Sequence, residues 1–144
     1  MKRLPGVVAS LLLLAAGPSD ALQPGKWEHR VVIVDVQMPH PPVGLVESMR
    51  GRPTSVVTCL KPEEARLGPR AVLRADLGCT FSRFDADSGK LAMTMVCDRP
   101  TGKSTIASEG SFTATGYTLR GRSKMIGQPI TIVTQTSGRR IGDC

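Results

Sequence analysis

Aromatic side chains are scarce. The 144 residues include three Phe, one Tyr and one Trp, at Phe81, Phe84, Phe112, Tyr117 and Trp27. So few rings cannot build the stacking platform that single-stranded nucleic acid requires, although 19 Lys+Arg against 12 Asp+Glu would attract a polyanion. Histidine is scarcer, with only His29 and His40, which excludes a multi-histidine metal cage. The closely spaced cysteine pairs of a zinc site are missing too. No apolar run reaches the roughly 20 residues that a membrane-crossing helix needs. Internal repeats and low-complexity tracts are absent. A chain that is 40% hydrophobic and 22% charged is globular in composition, and its length suits one domain.

The first residues read as an export signal. Lys2 and Arg3 precede an apolar stretch from Val7 to Ala16, then Gly17 and Pro18 break any helix. Ser19 and Ala21 provide the small side chains that signal peptidase accepts, so cleavage is expected after Ala21, with Gly17 as the second choice. Residues 1–21 are therefore expected to be a leader, and residues 22–144 a single β-rich domain. Losing Lys2, Arg3 and Asp20 takes the charge from +7 to +6. The expected location is periplasmic or secreted, without a membrane span once processed.

Cys59, Cys79, Cys97 and Cys144 survive that cut, and an even number in an exported chain favours disulfides. Cys79 to Phe84 and Lys90 to Cys97 flank the turn-forming stretch Asp85 to Gly89. A hairpin turning near Ala86 to Ser88 sets Cys79 opposite or nearly opposite Cys97, and elimination pairs Cys59 with Cys144.

Residues 26–38 are rich in β-branched side chains and read as a strand, with Val32, Val34, Val36 and Met38 on one face. Pro39 to Pro42 ends it, residues 43–53 read as a mobile loop, and Thr54–Leu60 as a second strand. Pro62–Leu67 begins as a helix should, with Pro first and Glu63 and Glu64 in the first turn. A further helical turn is expected within 69–77. Beyond Gly78 the expected strands are Cys79–Asp85, Lys90–Cys97, Ser104–Thr113, Tyr117–Met125 and Pro129–Ser137, separated by short turns that favour antiparallel neighbours. The expected fold is mainly β: one curved antiparallel sheet or open β-barrel, with a short helical excursion over an edge or mouth. Trp27 is expected to plug one end of the core.

Four stretches resemble a known family. They are Leu22-Gln-Pro-Gly-Lys-Trp-Glu, Thr58-Cys-Leu-Lys-Pro-Glu-Glu-Ala65, Leu77-Gly-Cys79 and the C-terminal Ser137-Gly-Arg-Arg-Ile-Gly-Asp-Cys144. In order and spacing they look like the bacterial domain of unknown function 3617 family, over nearly all of residues 22–144. The resemblance implies an exported β-rich protein of Gram-negative bacteria, and carries no activity or catalytic residues. The family pattern usually has Thr or Ser before the Pro-Glu step; Lys61 stands there in this chain.

No motif specifies chemistry. Gly102-Lys103-Ser104-Thr105 resembles the end of a P-loop, but Cys97 occupies the place of its first glycine and a strand follows. Met93 and Met95 share a strand face suited to copper(I), yet Leu91 and Cys97 lie on that face and mark it as core. His29 and His40 lack neighbouring ligands and read as surface or rim residues. No Gly-x-Ser-x-Gly elbow accompanies any serine. Arg120, Arg122 and Lys124 alternate along a strand and so share one face, a candidate contact for an anionic envelope surface. No catalytic residues, metal or cofactor are expected. The leading expectation is a non-enzymatic periplasmic module for an apolar or amphipathic ligand. An envelope interaction protein using the basic face, and a hydrolase with a site assembled from distant residues, are the alternatives. Nucleic acid is not an expected partner, and the sequence leaves the oligomeric state open.

Overall fold

A computed structural model describes residues 20–73 and 78–144. The leader expected over residues 1–21 falls almost wholly outside them. So do Arg74 to Leu77, the end of the second expected helical turn and the start of the Leu77-Gly-Cys79 motif.

The described residues form seven strands: β1 Gly25–Gln37, β2 Pro53–Leu60, β3 Cys79–Asp87, β4 Lys90–Arg99, β5 Gly102–Thr113, β6 Gly116–Met125 and β7 Thr131–Gly142. They make one sheet in the order β2-β1-β7-β6-β5-β4-β3, and every neighbouring pair is antiparallel. β2 and β3 are its free edges, so the sheet stays open. β7 extends five residues past the expected Ser137, because Trp27 and Lys26 at the start of β1 pair with Arg140 and Gly142.

Two bulges redirect side chains. Between Ile33 and Asp35 the pairing of β1 with β7 shifts by one residue. Val32 pairs with Gln135 and Val36 with Ile132, positions of opposite parity on β7, so the two valines lie on opposite faces and not on one. In β3 the shift falls between Phe81 and Arg83. Phe81 then pairs with Met95 and Phe84 with Met93, which brings both rings to the inner face. The β3–β4 turn is Ser88-Gly89, both with positive φ (50° and 77°), the two-residue hairpin turn that matches strand twist.

That turn alone would place Asp98 opposite Cys79. The bulge supplies the missing residue, and Cys79 faces Cys97. The Asp98 N–H donates to Gly78 O beside them, so the cysteines occupy the narrower, non-hydrogen-bonded kind of pair, with Cα atoms 4.0 Å apart, and are disulfide-bonded. Cys59 is bonded to Cys144, tying β2 to the chain end beyond β7.

The strand connections after β3 are short; the two before it are long, β1 to β2 over residues 38–52 and β2 to β3 over residues 61–78, which passes from one free edge to the other. This crossing carries the helical excursion: α2 Pro62–Ala65 and a 3-10 turn, Gly68–Ala71. α2 is shorter than expected because Gly68, with φ 67°, turns the chain. Lys61 has no acceptor to cap the first turn. Only the reverse half of a capping box forms, the Lys61 N–H donating to the Glu64 carboxylate at 3.2 Å. Residues 43–53 are not loop throughout: α1, Leu45–Met49, lies between Gly44 and Gly51, both with positive φ. Gly51 N–H and the Arg50 guanidinium hold this segment to the Ile33 and Val34 carbonyls.

The core lies between the sheet's inner face and the crossing segment. Trp27 is fully buried in it and donates its indole N–H to Gln23 O at 3.0 Å. Leu60, Leu91, Met93, Phe112, Tyr117 and Leu119 come from the sheet; Ala65, Ala71 and Leu73 come from the crossing segment. Leu22 joins them, its N–H held by Ala65 O.

Candidate functional site

The crossing segment does not fill the inner face. Between it and the sheet is a cavity of about 660 Å³. Residues of β1, β2, β4, β5, β6 and β7 all reach it, as do α2 and the 3-10 turn, which is the direct sign that the sheet curves around it. Val31, Val56, Leu60, Ala71, Val72, Leu73, Met93, Met95 and Ile106 form the apolar wall. His29, Thr58, Ser108, Tyr117 and Thr136 supply polar atoms, and Lys61 and Glu64 belong to the α2 side.

His29 is the main correction to the sequence reading. It is neither surface nor rim but buried, at 9% exposure. Odd-numbered residues of early β1 point inward, which puts His29 beside Trp27, ring centroids 6.5 Å apart. Its neighbour across the ladder is Gly138 on β7, and beyond Gly138 is Tyr117 on β6. A Cβ on Gly138 would stand 2.1 Å from the Tyr117 ring, so only glycine lets the phenol lie across β7. The Tyr117 hydroxyl thus reaches His29 Nδ1 at 2.8 Å, and His29 Nε2 meets Thr58 Oγ1 at 2.8 Å. A chain of three side chains runs over four neighbouring strands, β6-β7-β1-β2. Burial lowers the His29 pKa from its ordinary value and keeps the imidazole neutral. Burial likewise raises the Tyr117 pKa to about 12. His40, by contrast, is exposed just after β1 with φ 52°.

A second cluster fastens the cover. The Arg70 guanidinium lies 4.9 Å from the Phe84 ring centre and 5.4 Å from that of Phe81. The two rings meet edge to face at 5.1 Å. Sequence reasoning missed both clusters. Period two on β1 was the available signal for His29, whereas the Phe81–Phe84 pair depends on a bulge that nothing in the sequence marks.

Arg120, Arg122 and Lys124 are exposed on the opposite, outer face of β6. Glu109 is directly opposite Arg120, Ala107 and Val133 flank Arg122, and Thr105 and Thr131 flank Lys124. Also on this face, Arg139 pairs with Glu28 at 2.8 Å, and Arg83 pairs with Asp85. Met93 and Met95 line the cavity. Among the described residues no group of three His, Cys, Asp or Glu side chains could hold a metal ion, and no helix is long and apolar enough to cross a membrane.

The family comparison agrees with the motifs. The profile of a protein family of unknown function, DUF3617, matches residues 22–144. The chain belongs to this family. Neither the curated proteins nor the solved structures yield a match. The four resembling stretches have distinct places in this DUF3617 protein. The first carries Trp27 into the core, the second runs from β2 into α2, and the last pairs with β1 and ends at the Cys59–Cys144 bridge.

Proposed function

We propose that this DUF3617 protein is an exported, non-enzymatic module that binds an apolar or amphipathic ligand on the covered inner face of its sheet. The observation that carries this reading is the 660 Å³ cavity, whose wall is apolar with a few convergent polar groups. Its size and lining match the general pattern of small-molecule sites. Two disulfides fit an oxidising compartment, and the family match beginning at Leu22 fits a leader that ends at Ala21. Thermal shift of residues 22–144 against alkanes, alkyl esters and fatty acids tests the reading. Stabilisation is expected for at least one class, and its loss in Ile106→Trp, which fills the cavity. Absence of stabilisation by every class refutes it.

A second reading rests on Arg120, Arg122 and Lys124, exposed together on the outer face. They suit contact with an anionic envelope surface, which adsorption to anionic vesicles at low and high salt tests.

A further inference from the structure

Proton arithmetic in the Tyr117–His29–Thr58 chain leads to a chemical class of ligand. A neutral imidazole carries one N–H, and the two hydroxyls add one proton each. The three protons serve two internal hydrogen bonds, His29 to Tyr117 and His29 to Thr58, both 2.8 Å. One donor is therefore always surplus, and the ring tautomer decides at which end it appears. Thr58 is exposed, so solvent accepts its proton without cost. Tyr117 is 4% exposed, so a surplus O–H there meets no bulk water and only what the cavity holds. In the empty protein the phenol accordingly donates to Nδ1, the ring proton sits on Nε2, and the surplus donor is the Thr58 hydroxyl at the edge strand.

Both ends of the chain line the cavity. We infer that the cavity takes an amphipathic ligand with an uncharged acceptor head, such as an ester or ketone carbonyl, which accepts the Tyr117 O–H as the ring proton moves to Nδ1. No bond to carbon is made or broken. The ring gives its Nε2 proton to solvent and takes one from water at Nδ1, so the proton count is unchanged, while Thr58 turns its own O–H toward Nε2. The head is uncharged because none of Tyr117, neutral His29 and Thr58 carries a positive charge. A carboxylate there would be buried without a counter-charge. Lys61, the one cation of the lining, is exposed, so water screens its charge.

This inference rests on the cavity being a binding site, and chain-matched probes separate the two claims. Nonane, methyl octanoate and octanoate are titrated against wild type and Tyr117→Phe. The expected result is that methyl octanoate binds wild type about tenfold more tightly than nonane, one hydrogen bond's worth, and that Tyr117→Phe abolishes this preference while still binding nonane. Equal affinities for nonane and the ester in wild type overturn the acceptor assignment and leave the cavity reading intact. Tighter binding of octanoate than of the ester also overturns it. Binding of no probe overturns both. Should Tyr117→Phe not fold, nitrogen NMR of the wild-type histidine rings decides. The ester is expected to move the His29 proton from Nε2 to Nδ1 while exposed His40 is unchanged, and an unmoved His29 proton with the ester bound is the contrary result.

Discussion

At the scale of single residues, Tyr117 and His29 make the protein's stability pH-dependent in opposite directions. Tyr117 titrates near 12 when folded, against about 10 when unfolded. Between those values the folded state holds a proton that the unfolded state has lost. Stability is therefore full below pH 10 and falls by roughly 2–3 kcal/mol as pH rises to 12. Tyr117 is the only tyrosine, so phenolate absorbance reads it without overlap, and titration near 10 in the folded protein would contradict the burial seen here. His29, with its pKa lowered by burial, contributes the reverse: stability is complete above the unfolded value of 6.5 and is lost as pH falls through the folded pKa. Chemical denaturation should show a decline beginning near pH 6.5 in wild type and a smaller one in His29→Gln. Gly138 supports both residues. Gly138→Ala drives a methyl into the Tyr117 ring and is expected to cost about 2–4 kcal/mol, read as a Tm drop of roughly 8 °C or more. Alternation on β1 could have turned His29 inward, but its partners could not be read from the sequence. His29 looked isolated because its partners are 29 and 88 residues away, and a glycine's value to a ring across a ladder leaves no local trace.

At the scale of elements, turns and alternation were readable and bulges were not. Gly89 and its polar neighbours announce the β3–β4 turn, and the β-branched run announces β1, since both effects are local. A bulge has no such signature, yet the one in β3 aligns Cys79 with Cys97 and turns Phe81 and Phe84 to the same side. That side is where Arg70 fastens the cover to the free edge β3. Arg70→Ala should cost only about 1 kcal/mol, because the guanidinium is exposed. It should nevertheless loosen the cover locally. Amide exchange at Val72 and Leu73, both bonded to Pro69 O, is expected to accelerate more than exchange in β6. Uniform acceleration would mean that Arg70 contributes to global stability alone. The disulfides differ in the same spirit. The Cys79–Cys97 bridge closes 18 residues within one hairpin and Cys59–Cys144 closes 85 across the sheet, so chain entropy assigns about 3 and 4.5 kcal/mol respectively. Replacing the longer-range pair by serine should lower the denaturation midpoint more.

At the scale of the whole molecule, one curved sheet separates two surfaces that the sequence presented together. The mainly β fold, its antiparallel order and its helical excursion follow from patterns spread along the chain. The cavity does not, because it is the space left where β2 and β3 fail to meet and the crossing segment covers them incompletely. The basic residues of β6 lie on the other side. Arg120 and Arg122 are set against Glu109 and Ala107, not against any residue of the cavity wall. The two proposed contacts should therefore be separable by substitution. Glutamine at Arg120, Arg122 and Lys124 is the better replacement, since a carboxylate at Arg120 would face Glu109 directly and destabilise the β5–β6 pair. Three cations near an anionic surface contribute on the order of 1 kcal/mol each, so the triple variant should lose about a hundredfold in affinity for anionic vesicles at low salt. High salt should erase the difference from wild type. Affinity for methyl octanoate should stay within about twofold of wild type, because no charge is removed from the inner face. A parallel loss of ester binding would show that the outer charges and the inner cavity act as one site.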